Sequence, residues 1–277
     1  MRIDSHQHFW KISRGDYYWM RPTMKILHRD YQPDDLRPHL QQHRIDKTVV
    51  IQAAPTVAET DFLLGLAQEH DFIAGVVGWL DMDSADFPAL FEKYVAKAKF
   101  IGLRPMLEDL PEDDWILRQR VGHALSLVAE RDFPFDLLVR PRNLPAVLKV
   151  LNKQPKLRAV IDHISKPEIR EQKLEPWKSL LREAAAHKNV WCKLSGMITE
   201  ADREAWTLEH LTPYVEHVLE CFGPERIMFG SDWPVCLLAG SYHQVIESFE
   251  TILKPHLDND SAHGVFGGAA ARFYKLR

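Results

Sequence analysis

Short apolar runs alternate regularly with amphipathic stretches, and this alternation constrains the fold more than any other feature of the chain. Eight runs rich in Val, Ile and Leu recur, as is typical of parallel strands buried on both faces. They cover 2–6, 47–52, 73–81, 100–105, 133–140, 158–163, 190–196 and 226–232. The stretches between them repeat apolar residues at helical spacing. We therefore predict an α/β chain forming a closed (β/α)₈ barrel, in one domain that spans residues 1–277.

An open, doubly wound parallel sheet is the competing architecture. Such a sheet would place a glycine-rich phosphate turn after the first strand, whereas this chain reads SHQHFW there. Two segments lie outside the regular alternation. Residues 9–45 form a long aromatic and polar excursion, which we expect to be a functional loop or a lid. Residues 237–277 read as closing helices.

Composition excludes several classes of partner. A net charge of −4 and a pI near 6.4 leave no basic patch that would favour nucleic acid. No apolar run approaches the roughly 20 residues of a membrane span, and the start of the chain lacks the pattern of a signal peptide. The three cysteines are few and odd in number, so we expect reduced thiols and a cytoplasmic protein. The sequence leaves the oligomeric state open.

Two histidines stand at the end of the first predicted strand, in MRIDSHQHFW. Residues i and i+2 of a strand point to the same face, so His6 and His8 should both face the barrel axis near its mouth. Other strand ends bring His163 and Asp232 to the same edge, where barrels carry their chemistry. Two neutral imidazoles held there can share a divalent cation or a substrate oxygen. We predict that these four side chains form the catalytic group.

Several of these residues also have structural interpretations. Asp232 could cap a helix, because aspartate favours that position, and His163 could serve only as a buried hydrogen-bonding residue. Arg104 could form an ion pair with Asp81 instead of holding an anion or a carbonyl. Asp162 alternates with His163 and should face either the helices or the layer below the mouth.

Further polar and aromatic residues follow the strand ends or the long excursion. The lysines Lys166 and Lys193 receive no assigned role. We predict that Trp10 or Trp19 lies at the rim of the cleft. The predicted substrate-binding residues are Arg104, Trp10, Trp19, Gln52, Trp79 and Trp115.

Five motifs taken in order resemble the amidohydrolase superfamily. They are DSHQHFW followed by YYWM, then VIDHISKP, WCKLSGM and FGSDWPV, and EDDWILR after the fourth strand is similar to a lactonase feature. Together they resemble the amidohydrolase-2 branch, which holds sugar-acid lactonases of the L-fuconolactonase and L-rhamnonolactonase type. The resemblance covers nearly the whole chain and implies a distorted (β/α)₈ barrel.

The resemblance also implies roles for individual residues. His6 and His8 match the first-strand pair of the family, His163 its sixth-strand histidine and Asp232 its eighth-strand aspartate. Binuclear members carry a bridging Lys or Glu on a middle strand, but the fourth and fifth strands here end LRP and LLVR. A two-metal site is therefore not expected. The cofactor expectation is either none or a single divalent metal, with zinc favoured, held by His6, His8 and Asp232.

The expected reaction is hydrolysis of a sugar-acid lactone to the free acid. Asp232 would act as general base for water, while the histidines, Arg104 or one metal would polarise the carbonyl. A metal-dependent decarboxylase of the same superfamily is the main alternative. A barrel that binds a sugar acid without turnover is a further one. The small-molecule partner is a sugar lactone, with neither nucleic acid nor membrane involved.

Overall fold

Eight parallel strands in sequence order form the sheet of this protein. The structure is a computed structural model and describes residues 1–276. The strand order is β1-β2-β3-β4-β5-β6-β7-β8, and every neighbouring pair is parallel. The strands are β1 Ile3–Gln7, β2 Lys47–Ile51, β3 Ile73–Gly78, β4 Phe100–Leu103, β5 Phe135–Leu137, β6 Ala159–Ile161, β7 Val190–Leu194 and β8 Ile227–Phe229. β1 extends one residue beyond the predicted run 2–6, and each of the others lies within a predicted apolar run, which confirms the predicted architecture.

Backbone hydrogen bonds join the first strand to the segment after the last one. Asp232 N donates to His6 O over 2.8 Å, and His8 N donates to Trp233 O over 2.7 Å. These bonds bring the eighth strand end beside the first, so the sheet curls into a nearly closed barrel. In an open sheet with this strand order, β1 and β8 would be the two outer edges and would share no hydrogen bonds. The bonds between these two ends therefore exclude the open, doubly wound alternative.

Helices connect and cover the strands. They are α1 Pro33–Gln42, α2 Val57–Glu69, α3 Phe87–Val95, α4 Gln119–Glu130, α5 Leu144–Lys153, α6 Trp177–Ala185, α7 Met197–Glu200, α8 Leu208–Phe222, α9 Tyr242–Leu253, α10 Asn259–His263 and α11 Ala269–Tyr274. Their apolar faces turn inward: in α5, Val147 and Leu151 are buried while Lys149 and Lys153 are exposed. Among residues 1–276, no helix is long and apolar enough to cross a membrane.

The long excursion after β1 is only partly irregular. It contains α1, which the sequence analysis treated as part of the loop. The helix is short and polar, holds Pro38 in its interior and buries only Pro33, Leu36 and Leu40, so its helical pattern is weak. Pro33 occupies the start of the helix, where its missing N–H costs nothing.

The two ends of the barrel are closed differently. At the amino-terminal end of the strands, Phe273 and Tyr274 of α11 pack against Ile3, Val49 and Met228 in a separate apolar cluster. The carboxyl-terminal end carries the loops and remains open to a cleft. The fold thus leaves one mouth available for chemistry, as in other barrels of this type.

Candidate active site

The first strand delivers two imidazoles to the mouth of the barrel. His6 lies within β1 and is fully buried, and His8 follows the strand and is 5% exposed. Their ring centroids are 5.0 Å apart. The alternation of side chains along a strand therefore places both rings on the barrel axis, as the sequence analysis predicts.

Asp232 enters the site from the turn after β8. Its backbone is left-handed, with φ of 55°, a conformation that aspartate tolerates better than most residues. The short helical turn that follows covers Val235–Leu238, is capped by Pro234 and has no side-chain cap. Asp232 thus does not act as a helix cap, and its carboxylate is free to face the histidines.

His163 is presented by an unusual backbone turn after β6. Residues 163–166 all have positive φ, between 48° and 60°, including the β-branched Ile164. Such conformations cost free energy and are typical of functional sites. Gly196 allows the resulting close approach, because a Cβ there would lie 2.5 Å from Nδ1 of His163. The turn directs His163 into the mouth and not into the helical layer.

The three imidazoles of His6, His8 and His163 converge on one carboxylate oxygen of Asp232. Oδ1 of Asp232 lies 3.2 Å from Nε2 of His8, 3.8 Å from Nε2 of His6 and 4.0 Å from Nε2 of His163. All four side chains are at least nine-tenths buried. The structure thus brings together the four residues that the sequence analysis predicts to be catalytic.

Hydrogen bonds to the far ring nitrogens orient the imidazoles. Nδ1 of His8 lies 2.9 Å from Ile51 O, and Nδ1 of His163 lies 2.8 Å from Oγ of Ser195. The pKa of His6 and that of His163 are both well below the ordinary value, and burial is the largest cause in each case. The lowered pKa favours the neutral imidazole in both residues, which is the form that can bind a metal.

A buried ionic network lies directly beneath the histidines. Asp162 contacts Arg104 over 3.2 Å and Lys193 over 3.0 Å, and its Oδ1 lies 3.5 Å from Nδ1 of His6. Burial is the largest influence and opposes ionisation of Asp162, but Lys193, His6 and Arg104 together outweigh it and hold the pKa of Asp162 well below its ordinary value. Asp162 thus occupies the layer below the mouth, one of the two predicted positions.

Arg104 does not pair with Asp81, so that interpretation is wrong. Its partners are Asp162 and the carbonyl oxygen of Gln52, because the β4 end turns the guanidinium into the barrel interior. Asp81 instead accepts from the backbone N–H of Asp83. Arg104 still lines the cleft, so its predicted contact with substrate stays a prediction.

The open cleft above this group has a volume of about 290 Å³, at the small end for ligand sites. Its walls differ in chemistry. One wall is apolar and includes Trp19, Met24 and Leu238. The opposite wall is charged. Its main members are Glu108, Arg140, Lys166 and Glu200.

The charged wall is a chain of ion pairs that the sequence analysis did not assign. Lys166 lies 2.6 Å from Oε1 of Glu108, while Arg140 lies 3.5 Å from Oε2 of Glu108 and 3.2 Å from Glu200. Within residues 1–276, Oε2 of Glu108 is buried without a hydrogen-bond partner. Strand-end position could have identified Arg140, but Glu108 lies in a short helical turn after β4 and Glu200 at the end of α7, and only the folded chain brings them to the cleft.

The predicted substrate-binding aromatics fall into three environments. Trp19 lines the cleft, and its indole N–H donates to Ala53 O over 2.7 Å. Trp10 is fully buried behind His8 and donates to Arg29 O, so it does not line the cleft. Trp79 and Trp115 line a neighbouring hollow of about 550 Å³, which shares part of its wall with the cleft.

Gln52 also lies away from the cleft. It is fully buried, and its side-chain amide donates to Arg104 O over 2.8 Å. Gln52 therefore supports Arg104. Its side chain donates to the backbone of Arg104, and its backbone carbonyl accepts from the Arg104 guanidinium. Physical contact with substrate would require Gln52 to become exposed.

Two groups of side chains have the spacing of metal ligands. His6, His8 and Asp232 offer ligand atoms within 4.8 Å of one another, as do His6, Asp162 and His163. In the first group, His8 and Asp232 line the cleft. In the second, Asp162 is already neutralised by Lys193 and Arg104, whose charges would repel a divalent ion. The first group therefore fits a single cation better.

Comparison with known proteins places this architecture in a family. A family model described as amidohydrolase matches residues 3–276. An L-fucono-1,5-lactonase of Burkholderia ambifaria is 43% identical over 99% of this chain and 96% of its own length. An L-fucono-1,5-lactonase of Burkholderia multivorans is 39% identical over 100% of this chain and 96% of its own length. A crystal structure of an amidohydrolase from Burkholderia multivorans with bound zinc superposes with a TM-score of 0.96 at 37% identity, and the match covers 100% of both chains.

Proposed function

This chain belongs to the amidohydrolase family, and we propose that it hydrolyses the ester ring of a sugar-acid lactone, with L-fucono-1,5-lactone as the first substrate to test. The observation that carries the proposal is the convergence of three imidazoles on Oδ1 of Asp232 at the floor of a small cleft. The names of the curated relatives support the choice of substrate. A decarboxylase is not favoured, because those relatives at 39% and 43% identity are lactonases.

Hydrolysis of a lactone requires an activated water and a polarised carbonyl. Asp232 takes the proton from water. Nε2 of His8 lies 3.2 Å from Oδ1 of Asp232 and can share that proton. His163 lines the cleft and, together with Arg104, stabilises the oxyanion that forms at the carbonyl. His6 lies behind them, with its ring centroid 4.3 Å from that of His163 and its Nε2 3.8 Å from Oδ1 of Asp232. The low dielectric of the buried floor strengthens these interactions.

The remainder of the cleft suits a sugar acid with an apolar substituent. The charged wall presents carboxylates and cations for hydroxyl groups. Oε2 of Glu108, which is near Arg140 but accepts no hydrogen bond within residues 1–276, is an acceptor for one of them. The apolar wall suits the methyl group of a 6-deoxy sugar. We further propose that residues 1–277 act as one domain, since the strands that form the site extend from β1 to β8.

One divalent cation fits the donor set of His6, His8 and Asp232. Nε2 of His6 is a buried atom for which residues 1–276 provide no hydrogen-bond partner, and it faces the other two ligand atoms. Two imidazoles and one carboxylate suit zinc with an open position. When bound, such an ion would polarise the lactone carbonyl and lower the pKa of water.

A panel of aldonolactones tests the function. Purified protein is assayed with L-fucono-1,5-lactone, L-rhamnono- and D-galactono-lactones by acid release in a pH-indicator assay, and with dihydroxybenzoates for carbon dioxide release. We expect acid release from at least one lactone and no decarboxylation. Ligand-induced thermal stabilisation without acid release would instead indicate a binding protein and contradict the proposal.

The metal requirement is a separate prediction. We expect at most one loosely bound divalent ion per chain, because the fourth and fifth strands end LRP and LLVR, without the bridging Lys or Glu of binuclear members. Elemental analysis of protein purified without added metal measures occupancy, and lactonase assays after chelation measure dependence. Two tightly bound ions per chain would contradict this prediction. Complete loss of activity on chelation that zinc restores would make the ion essential.

A further inference from the structure

Lys193 of β7 lies at the centre of the network beneath the site. It is fully buried, and its Nζ lies 2.5 Å from Oδ2 of Asp136, 3.0 Å from Oδ1 of Asp162 and 3.3 Å from Nδ1 of His6. An ammonium group has three N–H donors and no acceptor. Oδ2 of Asp136 accepts a hydrogen bond from Nζ, Nδ1 of His6 lies at hydrogen-bond distance, and Asp162 lies at ion-pair distance.

This arrangement decides which nitrogen of His6 carries the proton. Because Lys193 only donates, Nδ1 of His6 must accept, and the ring proton of the neutral imidazole then sits on Nε2. Oδ1 of Asp162 is the rival partner for Nδ1, at 3.5 Å against 3.3 Å for Nζ of Lys193, and within residues 1–276 this oxygen accepts no hydrogen bond. A proton on Nδ1 would also face the ammonium at 3.3 Å.

His8 has the opposite arrangement. Its Nδ1 lies 2.9 Å from Ile51 O, and a carbonyl oxygen can only accept. The ring proton of neutral His8 is therefore on Nδ1, and the lone pair of Nε2 faces Asp232 at 3.2 Å. The two histidines of the HxH motif thus present different groups to Oδ1 of Asp232: His6 an N–H donor and His8 a lone pair.

We propose that Lys193 is a positioning residue that fixes His6 as an N–H donor directed toward Oδ1 of Asp232. This makes His6 a weak metal ligand and, when substrate reaches the floor of the cleft, a hydrogen-bond donor to its carbonyl. The carbonyl part of this inference rests on the proposed lactonase function. A metal needs the bare Nε2 lone pair, so ion binding at His6 requires the proton to move to Nδ1. That move places a proton against Lys193 and costs affinity. The same contact keeps a donor ready for the oxyanion without any ion.

The tautomers can be read directly in the wild-type protein. Histidine labelled with ¹⁵N in the ring gives long-range ¹H–¹⁵N correlation patterns that distinguish Nε2–H from Nδ1–H. His6→Asn and His8→Asn variants assign the signals in metal-free protein. We expect Nε2–H for His6 and Nδ1–H for His8. A proton on Nδ1 of His6 would overturn the proposal.

A double variant tests whether Lys193 is the cause. Lys193→Met with Asp136→Asn removes one charge of each sign, and the asparagine can still accept from the hydroxyl of Tyr274, which lies 2.7 Å from Asp136 in the wild type. Nδ1 of His6 should then donate to Asp162, which frees the Nε2 lone pair. We expect the His6 tautomer to change and zinc affinity, measured by calorimetric titration, to rise by about tenfold or more, a typical size for changes around metal ligands.

The single variant Asp136→Asn is the matched control, because it keeps Lys193 against His6. Its His6 tautomer should match the wild type and its zinc affinity should change by less than about threefold, below the effect of losing a partner of the ligand itself. In the presence of a chelator, kcat of the double variant should fall by about tenfold or more relative to this control, since loss of one oxyanion donor typically costs 10²–10³.

The outcomes separate this proposal from the proposed function. An unchanged tautomer and unchanged zinc affinity in the double variant would overturn the role of Lys193, whatever the enzyme hydrolyses. Absence of lactone hydrolysis in the wild type would overturn the function while leaving the tautomer and the zinc titrations interpretable, because neither uses substrate. If the double variant does not fold, the wild-type spectrum still decides the tautomer of His6.

Discussion

Asp232 and the imidazole of His8 form the closest contact among the four central side chains, at 3.2 Å. His8 keeps its Nδ1 proton on Ile51 O, so its Nε2 lone pair faces the carboxylate and the two groups need a proton or a cation between them. An arrangement of this kind can receive a proton from water and pass it on. This role accounts for a carboxylate in the left-handed turn that follows the eighth strand.

Asp232→Asn tests the base at this residue scale. The amide keeps the shape and the left-handed backbone preference but cannot accept a proton, so kcat for lactone hydrolysis should fall by about 10²–10⁴, the usual contribution of a general base. The unfolding temperature should stay near that of the wild type. Substantial residual turnover by a correctly folded variant would refute the assignment.

Glu108 offers a second residue-scale prediction. Its free Oε2 is proposed to accept from a sugar hydroxyl, and a hydrogen bond to a charged group contributes about 1.5–3 kcal/mol. Glu108→Gln should therefore raise KM for the lactone by about tenfold or more with a smaller effect on kcat. Glu112→Gln is the control, because Glu112 lies in the same loop but pairs with Arg118 at the exposed surface. Equal effects from both variants would contradict a role for Glu108 in binding.

At the scale of elements, α2 carries a buried carboxyl group at its first turn. Glu59 is fully buried and accepts from the backbone N–H groups of Ala53 and Ala54, which fixes the β2–α2 loop beside the cleft. Burial is the largest influence and raises the pKa of Glu59 from an ordinary 4.5 to about 8, although the two backbone donors oppose it. The folded protein therefore binds a proton here over a pH range in which the unfolded chain has lost it.

This difference predicts a pH dependence of stability. Between pH 4.5 and about pH 8 the folded state holds more protons than the unfolded state, so the free energy of unfolding should decrease as pH rises through this window. Glu59→Gln should flatten that decrease, measured by urea unfolding at several pH values. Glu69→Gln, at the exposed end of the same helix, should leave the slope unchanged. A wild-type slope that survives Glu59→Gln would contradict the assignment.

At the scale of the whole molecule, the chain closes its barrel by bringing the last helices against the first residues. The backbone at Gly267 passes so close to β1 that an added Cβ would lie 2.1 Å from Met1 O and 3.3 Å from Cα of Arg2. Glycine is required there for packing, because both nearest groups are backbone. The floor formed by Phe273 and Tyr274 depends on this approach.

Gly267→Ala should accordingly destabilise the fold. Overpacking against backbone typically costs about 1–3 kcal/mol, which corresponds to a fall of several degrees in Tm. Gly268→Ala is a closely matched control, because its nearest neighbour is the end of the flexible Arg272 side chain at 3.3 Å. Differential scanning calorimetry of the two variants makes the comparison. A Tm for Gly267→Ala at or above that of Gly268→Ala would show that the closure tolerates extra volume.

The sequence by itself determined the architecture and the central residues of the site. Buried parallel strands are continuous apolar runs, and their carboxyl ends meet at one mouth, so His6, His8, His163 and Asp232 could be grouped without a structure. The aromatic residues were less predictable. Trp10 and Trp19 belong to the same aromatic segment, yet one packs behind His8 and the other lines the cleft, because burial depends on how the loop folds back.

Only the tertiary structure decided which hydrogen bonds and ion pairs form beneath the site. Lys193 and Asp136 are 57 residues apart, and His6 is 187 residues from Lys193, so no local pattern connects them. Their contact arises because strands five, seven and one direct these side chains into the same barrel layer. The identity of the proton-bearing nitrogen on His6 follows from that contact, since a hydrogen bond depends on partners within about 3 Å and not on the order of residues.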